Sequence, residues 1–148
     1  MDHIAIMKKS LNFIPLIIEG TKTIESRWYK NKVNPWNKIN INDNVYFKNS
    51  GELINIKAQV YKVIQYDHLN EVTVKNIINT YGQSIGLNTL DQQSLETLYN
   101  NYSMKNYCIL IFLNEIKILD KPIKINKNGF GNMSAWISIE DIKSITCN

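Results

Sequence analysis

Strand-like and helix-like hydrophobic patterns do not alternate one by one along this sequence. A short β-prone run at 3–7 is followed by helical spacing at 11–18 and then by several strand-like runs. Two further helical segments, 72–81 and 90–102, come next, with a flexible connector from Gly82 to Asn88 between them. Strand-like runs end the sequence, with a break expected at Pro122. A doubly wound parallel sheet needs a helix between successive strands, so this order disfavours it. The order predicts an α+β protein with a small, mostly antiparallel β-barrel and flanking helices.

The length and composition are those of a globular domain. With 148 residues and 44% hydrophobic residues, we expect a single domain over residues 1–148. The N-terminal segment lacks the order of a signal peptide, and no apolar stretch approaches the ~20 residues that span a bilayer. We therefore expect a cytoplasmic protein with no membrane partner. The two histidines and two cysteines do not have the spacing of a metal site, so we expect no metal and no cofactor.

Residues 19–29 read EGTKTIESRWY and contain Arg27, the only arginine among 17 basic residues. The run alternates with a period of two, which predicts a strand with Ile24 and Trp28 on one face and Glu25 and Arg27 on the other. A guanidinium can hold a phosphate or a base edge with two hydrogen bonds, whereas a lysine ammonium is a compact point charge. An arginine in this lysine-rich chain therefore indicates a task that lysine cannot perform.

The charge of the chain is more informative locally than in total. A net charge of +4 suits an anionic partner, but a lysine-rich composition gives the same balance without one. Basic residues are densest at 22–38, where Glu25 is the only acid. This segment is therefore the best candidate for contact with an anion.

Gly20, Lys22, Glu25 and Arg27 fit the pattern G-x-K-x-x-E-x-R, at the junction of the first predicted helix and the next strand. In this motif and its position the sequence resembles the ASCH domains, a family similar to the PUA domains. The resemblance is good over residues 1–65 and rests on the order of elements beyond them. It implies a compact β-barrel with a cleft between barrel and helices that engages RNA.

The motif predicts a ligand cleft bordered by Lys22, Glu25 and Arg27 that binds RNA or a nucleotide-like small molecule. Glu25 can orient Arg27 or accept a hydrogen bond from the exocyclic amine of a base, and Lys22 adds a second cation. The alternative is that Glu25 and Arg27 form a buried ion pair that fastens the first helix and its loop to the barrel. Both interpretations explain why the arginine is present.

The resemblance also implies an alternative function as a small hydrolase. Some bacterial ASCH members are amidohydrolases of N4-acetylcytidine that use a lysine, a threonine and a later glutamate, and others are linked to RNA cleavage. Lys22 matches the lysine, but Glu25 stands in place of the threonine and residues 81–90 contain no carboxylate. If the protein is an enzyme, Lys22 and Glu25 are the expected catalytic base and acid. Because two of the three positions differ, binding without catalysis is the first hypothesis.

Two aromatic side chains lie in polar loops, Trp36 beside a proline and Phe130 between two glycines. Such rings can stack on unpaired bases, which contributes roughly 1–3 kcal/mol per base, or they can anchor their loops on the barrel. Trp136 lies in a more apolar run and is expected in the core. A third hypothesis, a module that binds another protein, requires an exposed apolar patch.

Overall fold

The computed structural model describes residues 1–131 and 134–147, and its framework is a curled sheet with helices packed against it. The strands are β1 (Asp2–Met7), β2 (Ile24–Tyr29), β3 (Asn44–Asn49), β4 (Ile54–Tyr66), β5 (Tyr107–Ile125), β6 (Trp136–Ile139) and β7 (Thr146–Cys147). The helices are α1 (Phe13–Glu19), α2 (Glu71–Ile85) and α3 (Gln92–Ser103), and 3-10 turns lie at Lys9–Leu11, Leu87–Thr89 and Ile142–Ile145.

The sheet is mixed and open between its two edge strands. The strand order is β2, β5, β4, β3, β1, β6, and β7 pairs with the far end of β5. β1 and β3 run parallel, with Ile4 opposite Tyr46, whereas the other paired strands run antiparallel. β2 and β6 are therefore the edges of a curled half-barrel. The predicted α+β class with a small, mostly antiparallel, barrel-like sheet is confirmed.

Side chains on the two faces of β1 belong to different apolar clusters. Ala5 and Met7 join the larger cluster, which includes the buried faces of α1 and α2 and the first half of β5. The smaller cluster consists of Ile4, Tyr46, Ile54, Ile137 and Ile142. Because successive strand residues point to opposite faces, β1 is covered on both sides and runs through the interior of the domain.

The second helix is longer than the sequence pattern predicts. The prediction placed its end at 81 because of Gly82, but the helix continues to Ile85. Gly82 is buried against Ile78 and Leu87, so tertiary packing offsets its weak helical preference. Gly86 ends the helix instead, in the left-handed conformation with φ +99°. Within the ranges described above, no helix has the length and apolar character needed to cross a bilayer.

The fifth strand runs through a proline at which the sequence predicted a break. β5 extends over 19 residues and includes Pro122. The register between β4 and β5 moves from Ile56 opposite Ile118 to Ile54 opposite Ile123, so the ladder is irregular where the proline lies. A proline has no N–H to donate, and a bulged stretch of strand does not require one from it. The prediction of a break was therefore wrong.

Candidate functional site

The turn from α1 into β2 brings the motif residues together. Gly20 adopts φ +86°, a left-handed conformation that ends α1, and its amide donates to the carbonyl of Ile17. The Lys22 amide then donates to the carbonyl of Leu16 at 3.0 Å, which folds the chain back against the helix. The next amide, that of Thr23, donates to the carbonyl of Ser84 at 2.9 Å. The side chain of Lys22 is thereby directed at the C-terminal end of α2.

Lys22 is completely buried, and its ammonium group is surrounded by acceptors. Nζ donates to the carbonyl oxygens of Ile85 at 2.6 Å and Ile24 at 2.8 Å, and it lies 3.1 Å from Glu25 Oε1. The ring of Phe13 covers it at 4.5 Å. Burial lowers the pKa of Lys22, while the Glu25 carboxylate opposes that shift. Because every ammonium proton has an acceptor, the side chain is a satisfied buried cation.

Glu25 is buried between two cations. One carboxylate oxygen, Oε1, faces Lys22 and accepts from the amide of Ser26 at 3.2 Å, and Oε2 accepts from Arg27 Nη2 at 2.9 Å. Burial alone would raise the pKa of Glu25, but Lys22 and then Arg27 hold it below its usual value. The carboxylate is therefore ionised and serves as a fixed acceptor.

Arg27 spans the gap between the two sheet edges. Its Nη1 donates to the carbonyl of Ala135 at 3.2 Å, and its Nη2 lies 3.5 Å from the carbonyl of Ile6 and 3.4 Å from the sulfur of Met7. The guanidinium carbon lies 5.0 Å from the centre of the Trp136 ring, a cation–π contact. The side chain is 12% exposed, whereas that of Glu25 is 4% exposed. Of the side chains of Lys22, Glu25 and Arg27, that of Arg27 is thus the most accessible to solvent.

A cleft of about 290 Å³ opens beside Lys22, Glu25 and Arg27, between β2, the end of β1 and α3. Glu25, Arg27 and Tyr29 line it from β2, and Lys8 and Lys105 supply two further cations. Lys22 does not reach it, since the ammonium group is enclosed on the far side of Glu25. The structure therefore brings Lys22, Glu25 and Arg27 into one contact chain but places only Glu25 and Arg27 in the wall of the cleft.

One wall of the cleft is an aromatic stack between β2 and α3. The rings of Trp28 and Tyr102 lie 4.1 Å apart between centroids and are nearly parallel, at 6°. Trp28 Nε1 donates to the hydroxyl of Ser26 at 2.9 Å. Burial raises the pKa of the Tyr102 hydroxyl, and the Glu25 carboxylate contributes to the shift. Tyr102 was not among the predicted site residues, because nothing in its local sequence indicates that α3 packs beside β2.

The two loop aromatics lie away from this cleft. Trp36 packs against the larger cluster, with its ring 5.0 Å from that of Tyr107 and Lys32 6.0 Å away. Phe130 packs against the smaller cluster on the other face of the sheet. Neither ring lines the cleft, so the structure does not bring them together with Arg27. A role for Trp36 or Phe130 in ligand stacking stays a prediction. Trp136, predicted in the core, is 4% exposed.

In residues 1–131 and 134–147, no three His, Cys, Asp or Glu side chains come together in a way that could hold a metal ion. The polar groups that line the cleft are instead hydrogen-bond donors and acceptors suited to an organic ligand. A guanidinium, two lysines, two phenols and a carboxylate can recognise a phosphate or the edge of a base.

The fold is similar to that of solved ASCH structures over almost the whole chain. The ASCH protein from Zymomonas mobilis matches with a TM-score of 0.59 and 17% identity, over 99% of this chain and 96% of that one. A single-substitution mutant of that protein matches with a TM-score of 0.61 and 16% identity, over 97% and 91%. The hypothetical protein PH0355 matches with a TM-score of 0.52 and 20% identity, over 77% and 98%. No protein-family model and no curated protein matches the sequence. The ASCH resemblance predicted from the motif is thus confirmed in the fold.

Proposed function

We propose that this protein, which has the fold of an ASCH domain, binds RNA or a nucleotide-like ligand in the cleft beside Glu25 and Arg27. The observation that carries the proposal is the environment of Arg27. Its guanidinium is held in place by a buried carboxylate and a backbone carbonyl, and it still lies in the wall of an open cleft. A preorganised guanidinium binds a phosphate or a base edge with little loss of side-chain entropy.

The charges around the cleft favour an anionic ligand. Among the residues that the structure describes, Glu25 is the only acid in the wall of the cleft, and its charge is compensated by Lys22 behind it and Arg27 beside it. Lys8 and Lys105 therefore add positive charge that no acid in the wall compensates. A cleft with one sign of charge and low-dielectric walls concentrates ions of the opposite sign. This supports a phosphate-bearing ligand over a neutral one.

The remaining lining groups suit a base or a sugar. Ser26, Tyr29 and Asn101 offer hydroxyl and amide groups, and the Trp28–Tyr102 stack supplies an apolar surface. A volume of about 290 Å³ is near the lower end of small-ligand sites, which are roughly 300–1,000 Å³. The cleft therefore has room for one nucleotide unit, and a longer strand would continue outside it.

The alternative function, a small hydrolase with Lys22 and Glu25 as base and acid, draws less support from this geometry. The ammonium of Lys22 is enclosed by acceptors, and the lowered pKa of Glu25 makes its carboxyl group a poor proton donor at neutral pH. We infer instead that Lys22 is a positioning residue. It holds Glu25, and Glu25 in turn holds Arg27.

The test is binding of a fluorescein-labelled single-stranded RNA dodecamer of mixed sequence, followed by anisotropy at several salt concentrations. We expect the logarithm of affinity to fall with the logarithm of salt, with a slope near −0.7 per phosphate contacted. Lys8→Ala and Lys105→Ala are expected to weaken binding and reduce that slope, while Lys75→Ala, on the exposed face of α2, is the matched control. No binding, or equal loss in the control, contradicts the proposal.

A turnover assay on the same protein samples distinguishes the hydrolase hypothesis from binding without catalysis. Incubation with N4-acetylcytidine and with the RNA dodecamer is expected to give no turnover if the protein only binds. Turnover that is abolished in Lys22→Met and in Glu25→Gln, with both variants folded, would support the hydrolase instead. Equal turnover in the wild type and in both variants would exclude Lys22 and Glu25 as its catalytic groups.

A further inference from the structure

A buried histidine lies directly behind the aromatic ring on which Arg27 rests. His3, on β1, is fully buried, and its ring centre lies 5.7 Å from that of Trp136. Trp136 Nε1 lies 3.2 Å from His3 Nδ1, and His3 Nε2 lies 2.9 Å from Asp43 Oδ2. Trp136 in turn contacts the cleft residue Arg27, whose guanidinium carbon lies 5.0 Å from the centre of the Trp136 ring. His3 is therefore connected to the cleft through Trp136 and Arg27.

The tautomer of His3 is fixed by these neighbours. An indole N–H can only donate, so Nδ1 of His3 must be an unprotonated acceptor. A carboxylate can only accept, so Nε2 carries the proton and donates it to Asp43. The hydroxyl of Ser138, 2.9 Å from Nδ1, can donate or accept and does not decide the matter. Only the neutral ring with its proton on Nε2 satisfies both fixed partners.

We propose that His3 is a positioning residue of the Arg27 site. Its unprotonated Nδ1 holds the Trp136 indole in place, and protonation of His3 breaks this hydrogen bond, so that the indole can move beneath the Arg27 guanidinium. The expected effect of His3 on ligand affinity rests on the proposed function. His3 does not contact the ligand and acts on it only through Trp136 and Arg27.

The consequence of a second ring proton follows from donor and acceptor counting. Nδ1–H and the Trp136 Nε1–H would then face each other as two donors, and the indole would be left buried without an acceptor. Ser138 can turn and accept from Nδ1–H, so the histidine keeps a partner while Trp136 loses one. A shift of the indole then moves the surface under Arg27 and the adjoining Ala135 carbonyl that Arg27 bonds.

The charges that face His3 come from several elements. Asp43, in the turn before β3, contacts Nε2, and Asp2 on β1 lies farther off; both favour the protonated ring. The Met1 amino group, 3.3 Å from Asp43, opposes it. Burial outweighs the carboxylates, so the pKa of His3 lies below its ordinary value of 6.5. The neutral ring is therefore the form present at physiological pH, and acid converts it.

The first experiment needs no ligand. Arg27 is the only arginine, so its side-chain Nε–H is the only such signal in a ¹⁵N-correlated NMR spectrum. We expect this signal and the Trp136 indole signal, assigned by its loss in Trp136→Phe, to move between pH 7.5 and 4.5 with the same midpoint as the His3 ring protons. Independent midpoints, or global unfolding before any shift at Arg27, overturn the inference.

The second experiment measures the affinity for the RNA dodecamer over the same pH range, in which phosphodiesters do not titrate. We expect roughly a fivefold loss of affinity as His3 becomes protonated, in line with the strength of a cation–π contact. Trp136→Phe keeps a ring under Arg27 but lacks the indole donor, so its pH profile should be flat. Ser138→Ala, the comparison variant, keeps the indole donor and should keep the pH dependence, with its midpoint at lower pH because the protonated ring loses an acceptor. If Ser138→Ala flattens the profile and Trp136→Phe does not, the inference is wrong.

If the RNA does not bind at all, the proposed function fails, while the NMR result still decides the inference.

Discussion

Arg27 donates from Nη1 to the carbonyl oxygen of Ala135 at 3.2 Å, across the opening between the edge strand β2 and the start of β6. The same guanidinium bonds Glu25 through Nη2 on its own strand. One side chain therefore joins the two edges of the half-barrel and also lines the cleft. The Glu25–Arg27 ion pair is present, and the proposed ligand site includes the same two residues, so the two interpretations of the sequence are compatible.

The first prediction concerns Arg27→Lys. A lysine ammonium cannot reach Glu25 and Ala135 in two directions at once, so one of these acceptors loses its charged donor. We expect the free energy of unfolding to fall by about 1–3 kcal/mol, the range for a lost hydrogen bond to a charged group. Urea denaturation measures it. The control is Lys9→Ala, which removes an exposed ion pair with Glu52 and should leave the midpoint nearly unchanged. An Arg27→Lys protein as stable as the wild type would contradict the bridging role.

The second prediction concerns the buried pair of Lys22 and Glu25. Lys22→Met keeps most of the side-chain volume but leaves Glu25 with only one cation, and Glu25→Gln leaves two buried cations without a carboxylate. Each single change should reduce the free energy of unfolding by about 3–5 kcal/mol. The double variant should lose less than the sum, by about 0.5–3 kcal/mol, because the two side chains interact directly. Additive losses in urea denaturation would show that the pair is not coupled.

The local features of the site were predictable from the sequence. Helical spacing up to Ile18, the left-handed residue Gly20 and the period of two after it are short-range signals, and α1 and β2 lie where they indicate. The motif also predicted that Lys22, Glu25 and Arg27 belong together. Lys22 and Glu25 are three positions apart and Glu25 and Arg27 are two apart, so these side chains can contact each other through local backbone geometry alone.

The surroundings of these residues were not predictable, because they come from distant parts of the sequence. The burial of Lys22 depends on the carbonyl of Ile85, the last residue of a helix that the pattern ended too early. The carbonyl partner and the ring partner of Arg27 are at 135 and 136, more than a hundred residues later. Tyr102 reaches the cleft only because α3 packs on β2. Such contacts follow from tertiary packing, for which a single sequence carries no local signal.

The third prediction concerns the two thiols. Cys108 is fully buried in β5, and burial raises the pKa of its thiol, so almost no thiolate is present at neutral pH. Cys147 is partly exposed in β7. We expect a disulfide reagent at pH 8 to modify Cys147 alone in the native protein and both cysteines in denaturant. Cys147→Ser is the control and should show no rapid reaction. Rapid modification of Cys108 in that variant would indicate that β5 opens readily.

The fourth prediction is the pH dependence of stability. The folded state depresses the pKa of His3 below 6.5, through burial, and that of Glu25 below 4.5, through Lys22 and Arg27 against the effect of burial. In both cases the unfolded chain binds the proton more tightly, so the stabilisation is complete above the unfolded pKa and is lost as the pH falls through the folded one.

We therefore expect the free energy of unfolding to be nearly constant near pH 8 and to decline below about pH 6.5, by up to about 1.4 kcal/mol per pH unit for one proton. The slope should steepen below about pH 4.5, where Glu25 begins to contribute. Urea denaturation from about pH 2.5 to 8 measures both phases. His3→Gln lacks the titrating ring and should lose the first phase while keeping the second. Glu25→Gln should keep the first phase and reduce the second, to which Asp43 also contributes. A first phase that persists in His3→Gln would mean that another group, and not His3, takes up the proton.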